Sequence, residues 1–134
     1  MVDGQGTPLG LTISPANRQD SIMLATTLDA VPPVRGKPGR PRRRPDKLHA
    51  DKGYDHRRCR QDCRQRGIIP RIARRGIEPS NRLGRHRWKV ERTHAWFGGF
   101  HRLVTRYERR DDIHLALNLL AMCIITHHQW RQLS

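Results

Sequence analysis

The chain has 134 residues, 27 of them Lys or Arg against 12 Asp or Glu, for a formal charge of +15. With 35% hydrophobic residues it can build one domain around a modest core. Three cysteines do not make a secreted disulfide framework, and no charged start followed by an apolar core marks a signal peptide. The longest apolar tract, Leu115 to Ile125, is interrupted by Asn118 and falls short of the ~20 residues that span a membrane, so a cytoplasmic protein without a membrane partner is expected.

The turn Asp3-Gly4-Gln5-Gly6 precedes Pro8 to Ser14, which reads as a strand. Met1-Val2 reads as the stub of an earlier strand. Apolar residues at 24, 28 and 31 share a face, predicting a helix over 22–31 with Asp20 as N-cap and Pro32-Pro33 as its end. Residues 32–46 form a basic Pro/Arg-rich loop with no apolar residue after Val34, expected to be extended and mobile. A strand over 47–51, a helix from His56 to about Arg66 capped by Asp55 and stopped by Gly67, and a strand over 68–72 make a βαβ pattern. Residues 73–84 read as loop and 86–97 as helix. Asp111-Asp112 open a final helix over 113–128 that is apolar on nearly every side and expected to be buried. His127-His128 suit the dipole at its end.

The charge imbalance points to a polyanionic partner, and arginine, which outnumbers lysine, has a planar fork that suits phosphate. A merely soluble surface needs only moderate charge of mixed sign. Arg40, Arg42, Arg43 and Arg44 could follow a nucleic-acid backbone, in a stretch loosely similar to an AT-hook but without its Arg-Gly-Arg-Pro centre. The simple alternative is a solvated charged loop.

Two acids stand out inside basic stretches. Asp51 falls at the carboxyl end of a predicted strand, where open α/β sheets place their ligands, and Gly53 allows a sharp turn after it. It could instead cap the next helix, a role for which Asp55 is better placed. Glu91 lies mid-helix with Arg87, Trp88, His94 and Ala95 three and four residues away. On spacing alone an Arg87–Glu91 surface pair accounts for it. His56, Cys59 and Cys63 share a helical face, but without a Cys-x-x-Cys pair buried thiols are a better reading than zinc.

At Asp3 to Leu9, Ala16 to Ser21, His49 to Tyr54, Val90 to Phe97, Phe100 to Leu103 and Arg106 to Arg110, taken in order, the chain resembles the IS5-type insertion-sequence transposases of the DDE class. The resemblance implies an α/β, truncated ribonuclease-H-like fold: a short mixed sheet, flanking helices and a buried C-terminal helix. Residues 1–134 would form one partial catalytic domain. It makes Asp51 the second and Glu91 the third catalytic acid, both ligands of Mg²⁺, or Mn²⁺ in its place, in a two-metal site for strand cleavage and transfer. It adds Lys52, Arg87, Arg92 and Arg102 to the arginines of the loop as DNA-binding residues. Arg87 matches the arginine of the family's Tyr-Arg-Glu-Lys signature, but Gly84 stands in place of the tyrosine and Gly98 in place of the lysine. Arg102 is the substitute considered for that lysine.

The family's first catalytic Asp lies upstream of the Asp3-Gly4 turn. The chain is therefore expected to be incomplete, as a frameshift half, an internal start or a relic, and weak in metal binding and cleavage by itself. Expected partners are DNA, both element ends and target, and the missing N-terminal part or an intact transposase. The complete enzyme would be a homo-oligomer. The competing reading is a catalytically inactive basic DNA-binding protein or transposition inhibitor. A ribosome- or RNA-associated protein is weaker, because no aromatic RNA-stacking motif supports it.

Overall fold

The computed structural model describes residues 1–35, 38–77 and 84–133, apart from the side chains of 84–86 and 133. Gly36 and Lys37 of the basic loop, and 78–83 of the expected loop before the third helix, lie outside the described residues. The chain divides into two compact units, Ser14–His86 and a second made of Met1–Ile13 with Arg87–Ser134.

The contiguous unit starts with a 3-10 turn, Asp20–Met23, that runs into helix α1, Leu24–Asp29. Leu24 and Leu28, four apart on one face, are buried as their spacing predicts. Gln19, not Asp20, occupies the N-cap position, and Asp20 sits inside the first turn. The turn begins one residue earlier than apolar spacing suggests, so this correction comes from a start in 3-10 geometry.

Strand β1, Lys47–Ala50, pairs in parallel with β2, Ile69–Ile72, with Lys47 opposite Ile69 and Ala50 opposite Ile72. Between them lies α2, Arg57–Gln65. This is the βαβ pattern read from the sequence. Cys59 and Cys63, four apart on α2, are fully buried, and Ile68, Ile72 and Ala73 in and around β2 are buried too. Gly67 adopts φ +70°, which lets its amide reach the Arg64 carbonyl (2.9 Å) and the Ile68 amide reach the Cys63 carbonyl (2.9 Å). That closes the helix with a Schellman turn.

The basic loop differs from expectation. Val34 and Arg42 form an antiparallel bridge, with N–H···O distances of 2.8 and 2.9 Å, so the loop is pinched rather than simply extended. Gly39, at φ +116°, lies within the stretch that bridge closes.

In the second unit, Val2 bridges Pro8 across the Asp3–Gly6 turn. The strand expected over 8–14 is reduced to that bridge. A strand exists only through its ladder, and among the described residues this segment bridges Val2 at Pro8 and no further. Three helices follow: α3, Gly84–Gly98; α4, His101–Val104; and α5, Asp111–Leu133. Helix α5 buries Ala121, Met122 and Ile125, whereas Leu119, Leu120, Ile124 and Trp130 are exposed. Burial of this helix is thus confined to one face, because no other element among the described residues covers the rest. The described residues are α/β, with a two-stranded parallel sheet and five α-helices among them. Among the described residues no helix is long and apolar enough to cross a membrane.

Candidate functional site

Asp51 follows β1 directly. The Ala73 amide donates to the Ala50 carbonyl (3.1 Å), so ladder pairing reaches the residue before it. Asp51 then caps a 3-10 turn, Lys52–Tyr54, its Oδ1 accepting from the Gly53 amide at 2.9 Å. A Cβ on Gly53 would stand 3.0 Å from that oxygen, so the cap leaves little room for a side chain there. The capping alternative is therefore observed, though on a different turn from the one anticipated. It uses one carboxylate oxygen and leaves the exposed group with a fixed direction.

Asp51 lines a cavity of about 270 Å³ with Gln19, Asp20, Ser21, Gly53, Tyr54, His56 and Arg75. Burial pushes the Tyr54 phenol up, and the nearby Asp20 and Asp51 carboxylates add to that shift. Sequence reasoning treated Asp20 only as a helix start. Its proximity to Asp51 depends on the two 3-10 turns packing together, which no local pattern announces.

Asp55 does not cap α2; His56 holds that position without a side-chain bond. Asp55 instead pairs with Arg60 (2.6 Å) and accepts from the Arg75 amide (2.9 Å). These partners, the Arg60 hydrogen bond foremost, hold its carboxyl below the usual carboxylate range. Arg60 also donates to the Ile72 carbonyl (3.1 Å), and Arg75 Nε to the Lys52 carbonyl (3.0 Å). The cluster ties β2 and the segment after it to the Asp51 turn. Lys52, half-buried, takes part through its backbone.

Glu91 lies in the other unit, on α3, and is exposed. Its Oε1 is 2.9 Å from Arg87 Nε, the i,i+4 pair that spacing alone suggests. Arg92 has a different setting. Its guanidinium carbon is 4.7 Å from the Trp88 ring centre and 5.0 Å from that of Trp96, while Nη2 donates to the Gln5 carbonyl. Thr93, buried, donates to the Gly6 carbonyl. Two bonds therefore dock the Asp3–Gly6 turn on the helix that carries Glu91. Asp3 Oδ1 shapes that turn, accepting from the Gln5 and Thr7 amides at 2.8 Å.

The remaining arginines divide into two groups. Arg102 pairs with Glu108 (3.0 Å), whose side chain is only 7% exposed. Arg42 pairs with Asp46, and Arg44 donates to the Arg66 carbonyl (3.1 Å). Arg40 and Arg43 are exposed and pair with no carboxylate among the described residues. Among those residues, no three His, Cys, Asp or Glu side chains converge as a metal site.

The family described as "Transposase DDE domain" matches residues 1–126. The protein named "Putative transposase for insertion sequence element IS402", from Burkholderia cepacia, is 46% identical over 132 residues, covering 98% of this chain. The chain spans 63% of that relative's length. No solved structure matches it. A match through nearly the whole chain, on an α/β framework with an acid at the end of a strand, makes this chain a member of the DDE transposase family.

Proposed function

We propose that this chain supplies Asp51 and Glu91 as metal-holding carboxylates for DNA strand cleavage and transfer of the IS5 type. The observation that carries the reading is Asp51: an exposed carboxylate, aimed by the Gly53 amide, at the carboxyl end of a paired strand. Asp51 fits a hard cation as a single carboxylate ligand, because its second oxygen accepts no hydrogen bond among the described residues. Bound Mg²⁺ or Mn²⁺ would supply charge stabilisation for a phosphoryl group in displacement. Asp51 would hold that ion, and Asp55 with Arg60 keeps the turn in place around it. Arg40 and Arg43 are free to neutralise phosphate, and Arg87 sets the direction of the Glu91 carboxylate.

Mn²⁺ uptake by the full chain, followed by loss of the free-ion EPR signal, tests the assignment. Asp51→Asn should reduce uptake about tenfold or more, the scale on which metal-site substitutions act. Uptake unchanged in this variant would refute Asp51 as a ligand. DNA binding is expected to weaken steeply with salt, and Arg40→Ala with Arg43→Ala should each reduce the slope by about one.

A second reading, a DNA-binding relative that does not cleave, is favoured by the pairing of the Glu91 carboxylate with Arg87. Mg²⁺-dependent nicking of supercoiled plasmid, lost in Asp51→Asn, would rule it out.

A further inference from the structure

Helix α3 carries a ridge of Trp88, Arg92 and Trp96, spaced four apart so that they stack along one side. Trp88 is 47% exposed, a large apolar surface left open on a helix that buries Thr93 beside the ridge. Arg92 lies against its ring at 4.7 Å and reaches Trp96 at 5.0 Å. The Gln5 carbonyl fixes the Arg92 side chain, and its Nε is buried with no hydrogen-bond partner. Gly6 makes room for this arrangement: a Cβ there would come within 3.2 Å of Arg92 Nη2. Lys89 adds a second cation, 5.9 Å from the centre of the Trp88 ring. Among the described residues neither Arg92 nor Lys89 has a carboxylate partner.

These features select an occupant. A protein partner covering Trp88 would have to desolvate two uncompensated cations beside it, which is costly. A nucleic acid meets the same surface with phosphates for the cations and a flat π face for the ring. In a duplex the base faces are occupied by neighbouring bases, so only an unstacked base can meet the indole. A guanidinium held against the ring stiffens the indole before anything arrives, which lowers the ordering cost of binding.

We infer that the Trp88–Arg92–Trp96 ridge is a stacking platform for an unpaired nucleobase of DNA, three residues along the helix from Glu91. This rests on the DNA-acting reading above, and adds that the strand is held in a locally unpaired form. Lys89 supplies the phosphate contact next to the stacked base.

The test compares the full chain on a blunt duplex and on the same duplex with a short 3′ overhang carrying 2-aminopurine. Fluorescence anisotropy gives affinity, and 2-aminopurine quenching reports stacking. Wild-type protein should quench the overhang probe. Trp88→Ala should lose about 5- to 150-fold in overhang affinity, the range for one base–aromatic stack, with blunt-duplex affinity held within about twofold. Trp88→Phe should keep most of the overhang affinity. Equal loss on both DNAs, or quenching that survives in Trp88→Ala, overturns the platform. So does a Trp88→Ala variant that alters sedimentation while keeping overhang affinity, which would make this face an interface between copies. Wild-type binding of both DNAs without quenching sinks the platform alone. Binding of neither DNA sinks the DNA-acting reading with it.

Discussion

Gly6→Ala should destabilise the unit that carries Glu91 far more than its size suggests. Gly6 has φ +87°, a conformation that costs a residue with a Cβ about 1–2 kcal/mol. The added methyl would also stand 3.1 Å from the Lys89 carbonyl and 3.2 Å from Arg92 Nη2. The first is helix backbone and cannot swing aside, so either the turn lifts from α3 or Arg92 leaves its place between the tryptophans. Overpacking of this kind adds about 1–3 kcal/mol, giving about 2–5 kcal/mol in all. Gly4→Ala is the internal control, because a Cβ there meets nothing within 4 Å and its φ is not positive. All three tryptophans, Trp88, Trp96 and Trp130, lie in this unit, so intrinsic fluorescence in a urea titration reads it selectively. A Gly6→Ala midpoint matching that of Gly4→Ala would refute the proposed docking of the turn on the helix.

Two further predictions concern the contiguous unit. Asp55 has its carboxyl held low by Arg60 and the Arg75 amide, so its contribution is present above the unfolded-state pKa of ~3.9 and is lost as pH falls through the lower folded value. Asp55→Asn should therefore be less stable near neutral pH and show a flatter acid limb when far-UV circular dichroism is followed from pH 6 to 2 (window set about that pKa); an acid limb unchanged from wild type would count against the pairing. Burial pushes the Cys59 and Cys63 thiols up, whereas Cys123 is exposed. Native protein should therefore give one fast-reacting thiol with a disulfide reagent, with the other two appearing on denaturation. Three fast thiols would contradict the packed α2 face.

The parts of the fold legible in the sequence are those written in local pattern. The step from β1 through α2 to β2 is marked by two short strand-like segments and by Gly67 between them, and the structure places each element within a residue or two. The burial of Cys59 and Cys63 followed from helical spacing. What could not be read depends on partners distant in the chain. Asp55 suited a helix cap by its position, yet Arg75, 20 residues on, competes for it. Pro8 to Ser14 has strand composition, but composition cannot supply a neighbouring ladder. The resemblance offers Arg92 only as a DNA-binding residue, and the turn from Gln5 to Gly6, 87 residues earlier, reveals that it is clamped. Of the candidate site, Asp51 and Glu91 were singled out by their acidity amid arginines and by family motif. That Tyr54, Asp20, His56 and Arg75 gather around Asp51 had no local signal, because it depends on segments distant in the chain.

The bonds from Thr93 to Gly6 and from Arg92 to Gln5 close a loop of most of the chain's length, because the unit they stabilise is assembled from its first residues and its last. Loop-closure entropy and high contact order make such a unit slow to nucleate. Ser14–His86, by contrast, is continuous and can fold while the rest is still being synthesised. The Asp3–Gly6 turn thus leaves the ribosome before Ser14–His86 and waits for all of that unit to follow before its partner helix emerges. A single cut within Ser14–His86 would turn that wait into a two-body search, so recovery of native tryptophan fluorescence after such a cut would become dependent on protein concentration.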